Sequence, residues 1–70
     1  MTHYDTAQVQ LLWEGSFNDM YNKYALMRRW CEARQLQHSF VWADTGKYLP
    51  VYIIMDSVAA VAFKFTFGLP

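Results

Sequence analysis

The chain has a single cysteine, three glycines and two prolines in 70 residues, and only 17% of its side chains are charged. One cysteine excludes an intramolecular disulfide framework and fits a reducing compartment. The three glycines, Gly15, Gly46 and Gly68, are each isolated, so no glycine-rich phosphate loop is present. Six Lys/Arg balance six Asp/Glu, and a formal net charge of zero supplies no global field toward nucleic acid or an anionic membrane. No apolar stretch, Ser57 to Phe63 included, approaches the ~20 residues that span a bilayer. The start, Met1-Thr2-His3-Tyr4-Asp5, lacks the basic and apolar regions of a signal peptide. The expectation is one soluble cytoplasmic domain covering residues 1–70, with no membrane partner.

What is abundant is apolar and aromatic material, at 54% and 19% of the chain. That excludes a disordered tail or linker. It also leaves more apolar surface than a small monomer can bury. In residues 6–14, Val9, Leu11 and Trp13 alternate with Gln8, Gln10 and Leu12, which predicts a strand. Gly15 breaks it. Ser16 then reads as a helix N-cap, with Asp19 three residues on as a short-armed capping box. Phe17, Met20, Tyr24, Met27 and Cys31 follow at spacings of three and four, joined by Tyr21, and predict a buried stripe on a helix reaching about Gln35. Arg28, Arg29 and Arg34 lie toward its C-terminal end, where the macrodipole favours positive charge.

His38 to Ala43 predicts a second strand with Phe40 and Trp42 on one face. Asp44-Thr45-Gly46 is turn chemistry. Tyr48 to Met55 predicts a third strand, apolar on both faces, with good pairing only from Val51 because of Pro50. Asp56 to Phe67 fits two periods. Phe63, Phe65 and Phe67 alternate as in a strand, whereas Val58, Val61, Ala62 and Phe65 form a helical stripe. Caps at Asp56 or Ser57, the alanines at 59, 60 and 62, and the Gly68-Leu69-Pro70 stop favour helix. The expected fold is α+β, ordered β-α-β-β-α. It is a three-stranded antiparallel sheet of order 1-3-2 with both helices on one face, a ferredoxin-like unit without its last strand. The first strand is then an exposed edge with no charge until Glu14.

The residues that could carry chemistry are dispersed. Ser16 and Ser57 read as caps, and Cys31 lies in the buried stripe without a spaced His or Asp to activate it. His3 and His38 belong to no ligand cluster, and no pair of carboxylates is close in sequence. No enzymatic activity, no metal and no cofactor is expected. The apolar residues carry a stronger signal. Leu26 and Trp30, one turn apart, fall more than about 100° from the helix's core stripe. If the last segment is a helix with Val58, Val61, Ala62 and Phe65 inward, Phe63 and Phe67 face outward. Leu26, Trp30, Phe63 and Phe67, rimmed by Arg28 and Arg29, then form an expected partner-binding patch. The alternative for Trp30 is that it folds down onto the sheet edge or second helix and caps the core. A second surface is the open sheet face, where Phe40 or Trp42 with Tyr52 would stack bases of single-stranded nucleic acid. Zero net charge, and the Arg cluster lying on the helix side, make nucleic acid the lesser expectation.

Asp56, Ala59, Ala60, Ala62 and the close Phe63-Lys64-Phe65-Thr66-Phe67-Gly68 resemble the ending of small uncharacterised bacteriophage α+β proteins. In those an acidic cap and a short Ala-containing helix end in Phe-Lys-x-x-aromatic-Gly. The resemblance implies a small phage-encoded accessory protein in an infected bacterial host. Its expected partner is a host or phage protein, which it would inhibit, or a further copy of itself in a homo-oligomer. A minor virion structural protein is the remaining alternative.

Overall fold

In the computed structural model, residues 5–43 and 49–70 are described. The Asp44-Thr45-Gly46 turn, Lys47, Tyr48 and His3 lie outside them. The elements are β1 (Thr6–Gln10), α1 (Phe17–Ala33), β2 (His38–Trp42), β3 (Pro50–Asp56) and α2 (Ser57–Phe67). The three strands form one antiparallel sheet in the order β1-β3-β2. This is the expected α+β architecture.

β1 is shorter than its alternation suggested, ending at Gln10, although Leu11 still donates its N–H to Val51 O at 2.9 Å. Trp13 then turns back and donates its indole N–H to Pro50 O at 2.7 Å, tying the β1–α1 connection to the start of β3. Pro50 opens β3, and the β2–β3 register shifts beside it, between Val41 and Trp42. A proline has no N–H for a regular ladder, so a strand start beside an irregularity suits it.

Ser16 caps α1 with extended backbone (φ −72°, ψ 159°), its Oγ accepting the Asp19 N–H at 3.2 Å. At the other end Gln35 takes a left-handed φ of 54°. The Leu36 and Gln35 N–H groups reach back to Cys31 O and Glu32 O, closing a Schellman turn at the position glycine usually holds. Of the expected stripe on α1, Tyr24, Met27 and Cys31 are buried, whereas Phe17 and Tyr21 are about half exposed. Their rings stack along the helix, Phe17 on Tyr21 at 6.0 Å and Tyr21 against Tyr24 at 5.9 Å between centroids.

The last segment is a helix. Asp56, the final residue of β3, is also the N-cap of α2 and accepts the Ala59 N–H at 3.0 Å. Gly68 ends the helix at a φ of 65°, and Leu69 donates to Lys64 O at 2.8 Å. The phase of α2 is opposite to the expected one. Ala60 and Phe63 are buried and Phe67 is half-buried, while Val58, Val61, Ala62 and Phe65 face outward. The reason lies in the connection. No loop residue separates β3 from α2, and Ser57 donates its N–H to Asp5 O at 3.0 Å. The helix therefore inherits its rotation from the strand, and an apolar-all-round sequence offers no counter-preference.

The core comprises Val9 and Leu11, Met27 and Cys31 of α1, Ile53 and Met55 of β3, and Ala60 and Phe63 of α2. Both helices thus cover one sheet face. The other face carries Thr6, Gln8, Gln10, Ser39, Val41, Tyr52 and Ile54, which follow from the register and the period of two.

Candidate interaction surface

The expected patch of Leu26, Arg28, Arg29, Trp30, Phe63 and Phe67 does not assemble on the surface. Phe63 is 0% exposed and belongs to the core. Trp30 is half-buried, with its ring edge-on to Phe63 at 5.5 Å and to Phe67 at 6.3 Å between centroids. Phe63 and Phe67 are themselves 4.8 Å apart. These three rings form the α1–α2 contact. Arg34 closes over Trp30, its guanidinium 4.0 Å from the ring centroid and its Nη1 donating to Trp30 O at 3.2 Å. Trp30 therefore follows the alternative stated for it and caps the core against the second helix. Arg28 lies 5.8 Å from the Tyr24 ring centroid, on another side of α1. Leu26, 54% exposed, and Arg29 remain on the surface without those rings beside them.

The most exposed large apolar side chains among the described residues lie instead on the outward side of α2. Phe65 is 90% exposed, Val58 79% and Val61 70%, and Ala62 stands between them. With Ser57 and Thr66 they line one shallow open groove. Positions 58, 61, 62 and 65 repeat as the seam of a packed helix does. Thr66 turns its hydroxyl back to Ala62 O at 2.7 Å and satisfies it within the helix. Lys64, the one charged residue of α2, is half-buried on the core-side flank. The outward side thus holds five neighbouring positions without a charge. Single exposed apolar side chains are ordinary, but three large ones contiguous on one short helix are not.

This surface was present in the sequence as a helix apolar on every side. The missing information was its phase. Two stripes of 3.6 period run on opposite sides of the segment, and hydrophobicity alone does not rank them.

The other described side chains show no reactive arrangement. Cys31 is buried, and burial pushes its thiol up to about 11, with Glu32 adding to the rise and Arg34 opposing it. His38 holds Leu36 O through Nδ1 at 2.8 Å and stands edge-on to Phe40. Asp56, not Ser57, caps α2. Among the described residues no three His, Cys, Asp or Glu side chains gather as a metal site would require. On the sheet, Phe40 and Trp42 pack edge-on against Tyr24 at 5.0 Å and 5.7 Å between centroids, which places both on the helix side. Tyr52 is the one ring of the open face among the described residues, so the expected ring pair does not form there. No helix among the described residues is long and apolar enough to cross a bilayer. The chain matches no protein-family model, and comparisons with curated proteins and solved structures find no match.

Proposed function

We propose that this chain is a non-enzymatic interaction protein whose contact surface is the outward side of α2. The observation that carries the reading is the contiguous exposure of Val58, Val61 and Phe65 on one helix. Burying a large apolar side chain contributes about 1.5–3 kcal/mol, so these three in water forgo a large fraction of what a small domain has to spare. A partner protein that covers them recovers that energy. The resemblance to small bacteriophage proteins supports an accessory role during infection, as an inhibitor of a host protein or as part of an assembly. Leu26 and Arg29 lie on another helix and are peripheral to this surface, and Trp30 and Phe63 support it from inside.

A photo-crosslinking phenylalanine analogue at position 65 tests the reading in producing cells. The expected result is a discrete protein adduct from position 65 and none from the exposed control Glu32. Equal, diffuse labelling from both positions contradicts a contact surface on α2.

A further inference from the structure

The sheet ends at a free edge on its β1 side. β1 pairs only with β3 among the described residues, in a register without a shift. Leu11 donates its N–H to Val51 O, and Asp5 O accepts the Ser57 N–H, so the odd-numbered backbone groups point into the sheet. By the period of two, the N–H and C=O groups of Thr6, Gln8 and Gln10 point out of it. All three residues are exposed. Charge, proline and bulges are the devices that blunt an edge, and Thr6–Gln10 has none of them.

α2 stands over this edge. It packs across β1 and β3 and begins where Ser57 meets Asp5. It ends where Gly68 and Leu69 border a hollow shared with Leu12, so it runs along β1 in the same direction. At 100° per residue, Phe63 turns toward Trp30, Val58 and Phe65 form the crest, and Ser57, Val61 and Lys64 form the flank above the edge. On that flank Val61 is 70% exposed. Lys64 is half-buried, and its ammonium has no ion-pair or hydrogen-bond partner among the described residues. It lies ~10.5 Å along the helix from Ser57, away from Asp5 at the opening of the edge.

We propose that the β1 edge takes up an extended segment of a different protein, with an apolar side chain against Val61 and a carboxylate at Lys64. This does not depend on the crest of α2 as a contact surface. A row of outward N–H and C=O groups at the strand repeat is matched by another extended backbone, so Thr6, Gln8 and Gln10 supply the pairing. Residues of the added strand opposite Ala7 and Val9 lie on the helix side, beneath the flank of α2. Val61 and Lys64 are ~4.5 Å apart along the helix, and same-face strand residues are ~6.8 Å apart. The lysine stem spans the difference, so the apolar residue and the acid stand two positions apart in the segment. The carboxylate supplies the charge that Lys64 lacks, on a flank where water is partly excluded. A second copy's β1 does not fit this description. Its helix-side residues, Ala7 and Val9, offer no carboxylate, and its own Lys64 would approach this one.

Selection from a displayed library of random heptapeptides, with the full chain as bait, tests this. Enriched peptides are expected to carry Asp or Glu two positions from an apolar residue. Their binding, followed by NMR, is expected to protect the Thr6, Gln8 and Gln10 amides. Lys64→Glu weakens the selected acidic peptides by about tenfold or more, and selection on that variant enriches Lys or Arg at the same place. Gln8→Pro removes one outward N–H and weakens all of them by a similar factor. Phe65→Glu, on the crest, leaves their affinity unchanged. Circular dichroism verifies that each variant keeps its fold, and the amide protection reads the edge without any substitution. No enrichment over an unrelated bait of equal size overturns the proposal, as does binding that leaves the three amides unprotected or is indifferent to Lys64→Glu. Sedimentation of the free chain as a dimer that the peptides dissociate would put a second copy on the edge and overturn a heterologous occupant. None of these results alters the crosslinking expected from position 65, so the two readings fail separately.

Discussion

The Trp30 ring stands edge-on to the Phe63 ring, with centroids 5.5 Å apart and planes inclined at 75°. This contact joins α1 to α2 on the side of α2 turned away from water. Phe63 and Phe65 are two residues apart on one helix, yet one is wholly buried and the other almost wholly exposed.

Their substitutions are therefore expected to differ sharply. Phe63→Leu removes packing from the core and lowers unfolding free energy by about 1–2 kcal/mol, and Phe63→Ala by about 3–5 kcal/mol. Phe65→Ala stays within about 0.5 kcal/mol in the monomer. Urea titrations at low protein concentration measure all three. Equal costs at both positions would contradict the phase of α2.

Asp56 closes β3 and opens α2, so its carboxylate supports a junction without loop residues. Asp56→Ala leaves the Ala59 N–H without that acceptor and costs about 1 kcal/mol, while Asp56→Asn, which still accepts, costs less. Thermal melts of the two variants against wild type give the comparison. Identical melting for all three would remove the cap from the explanation of the helix.

Gln35 holds a left-handed backbone that favours glycine. Gln35→Gly relieves a side-chain clash worth roughly 1 kcal/mol, less the extra freedom that glycine gives the unfolded chain. A net rise in stability of about a few tenths of a kcal/mol is expected in denaturant titration. A marked fall would mean that the Schellman turn draws on contacts of the Gln35 side chain.

Cys31 links stability to alkaline pH. Its thiol ionises near 9.0 when unfolded and at about 11 in the fold, chiefly because burial disfavours the thiolate. Above pH 9.0 the unfolded chain gives up this proton while the folded chain keeps it. Cys31's contribution is thus complete below pH 9.0 and is lost as the pH rises toward about 11. Stability of wild type and Cys31→Ala, followed from pH 8 to pH 10.5, is expected to converge. Parallel curves would contradict the raised value. In the fold at pH 8, alkylation of the thiol is slower than in urea.

The order of elements was legible because each carries a local signal that tertiary packing did not override. Gly15 breaks the first strand and Ser16 caps the helix that follows. Asp56 and Gly68 bracket the last helix. The strand order followed from connection rules. The contact surface was not legible, although its composition was. In Ser57–Phe67 both 3.6-period stripes are apolar, and the rotation of α2 comes from backbone continuity with β3 rather than from side-chain preference. Trp30 was misplaced with it, since its position outside the α1 stripe is explained by rings that α2 turns inward. The same local ambiguity affected Phe40 and Trp42: alternation groups them, but only the packing of Tyr24 shows which face of the sheet they share.

Solvent relaxation by a soluble spin probe, read by NMR on side-chain protons, tests the phase of α2 most directly. The account predicts strong broadening at Val58, Val61 and Phe65 and little at Ala60 and Phe63. Broadening of Phe63 with Phe65 spared would contradict it.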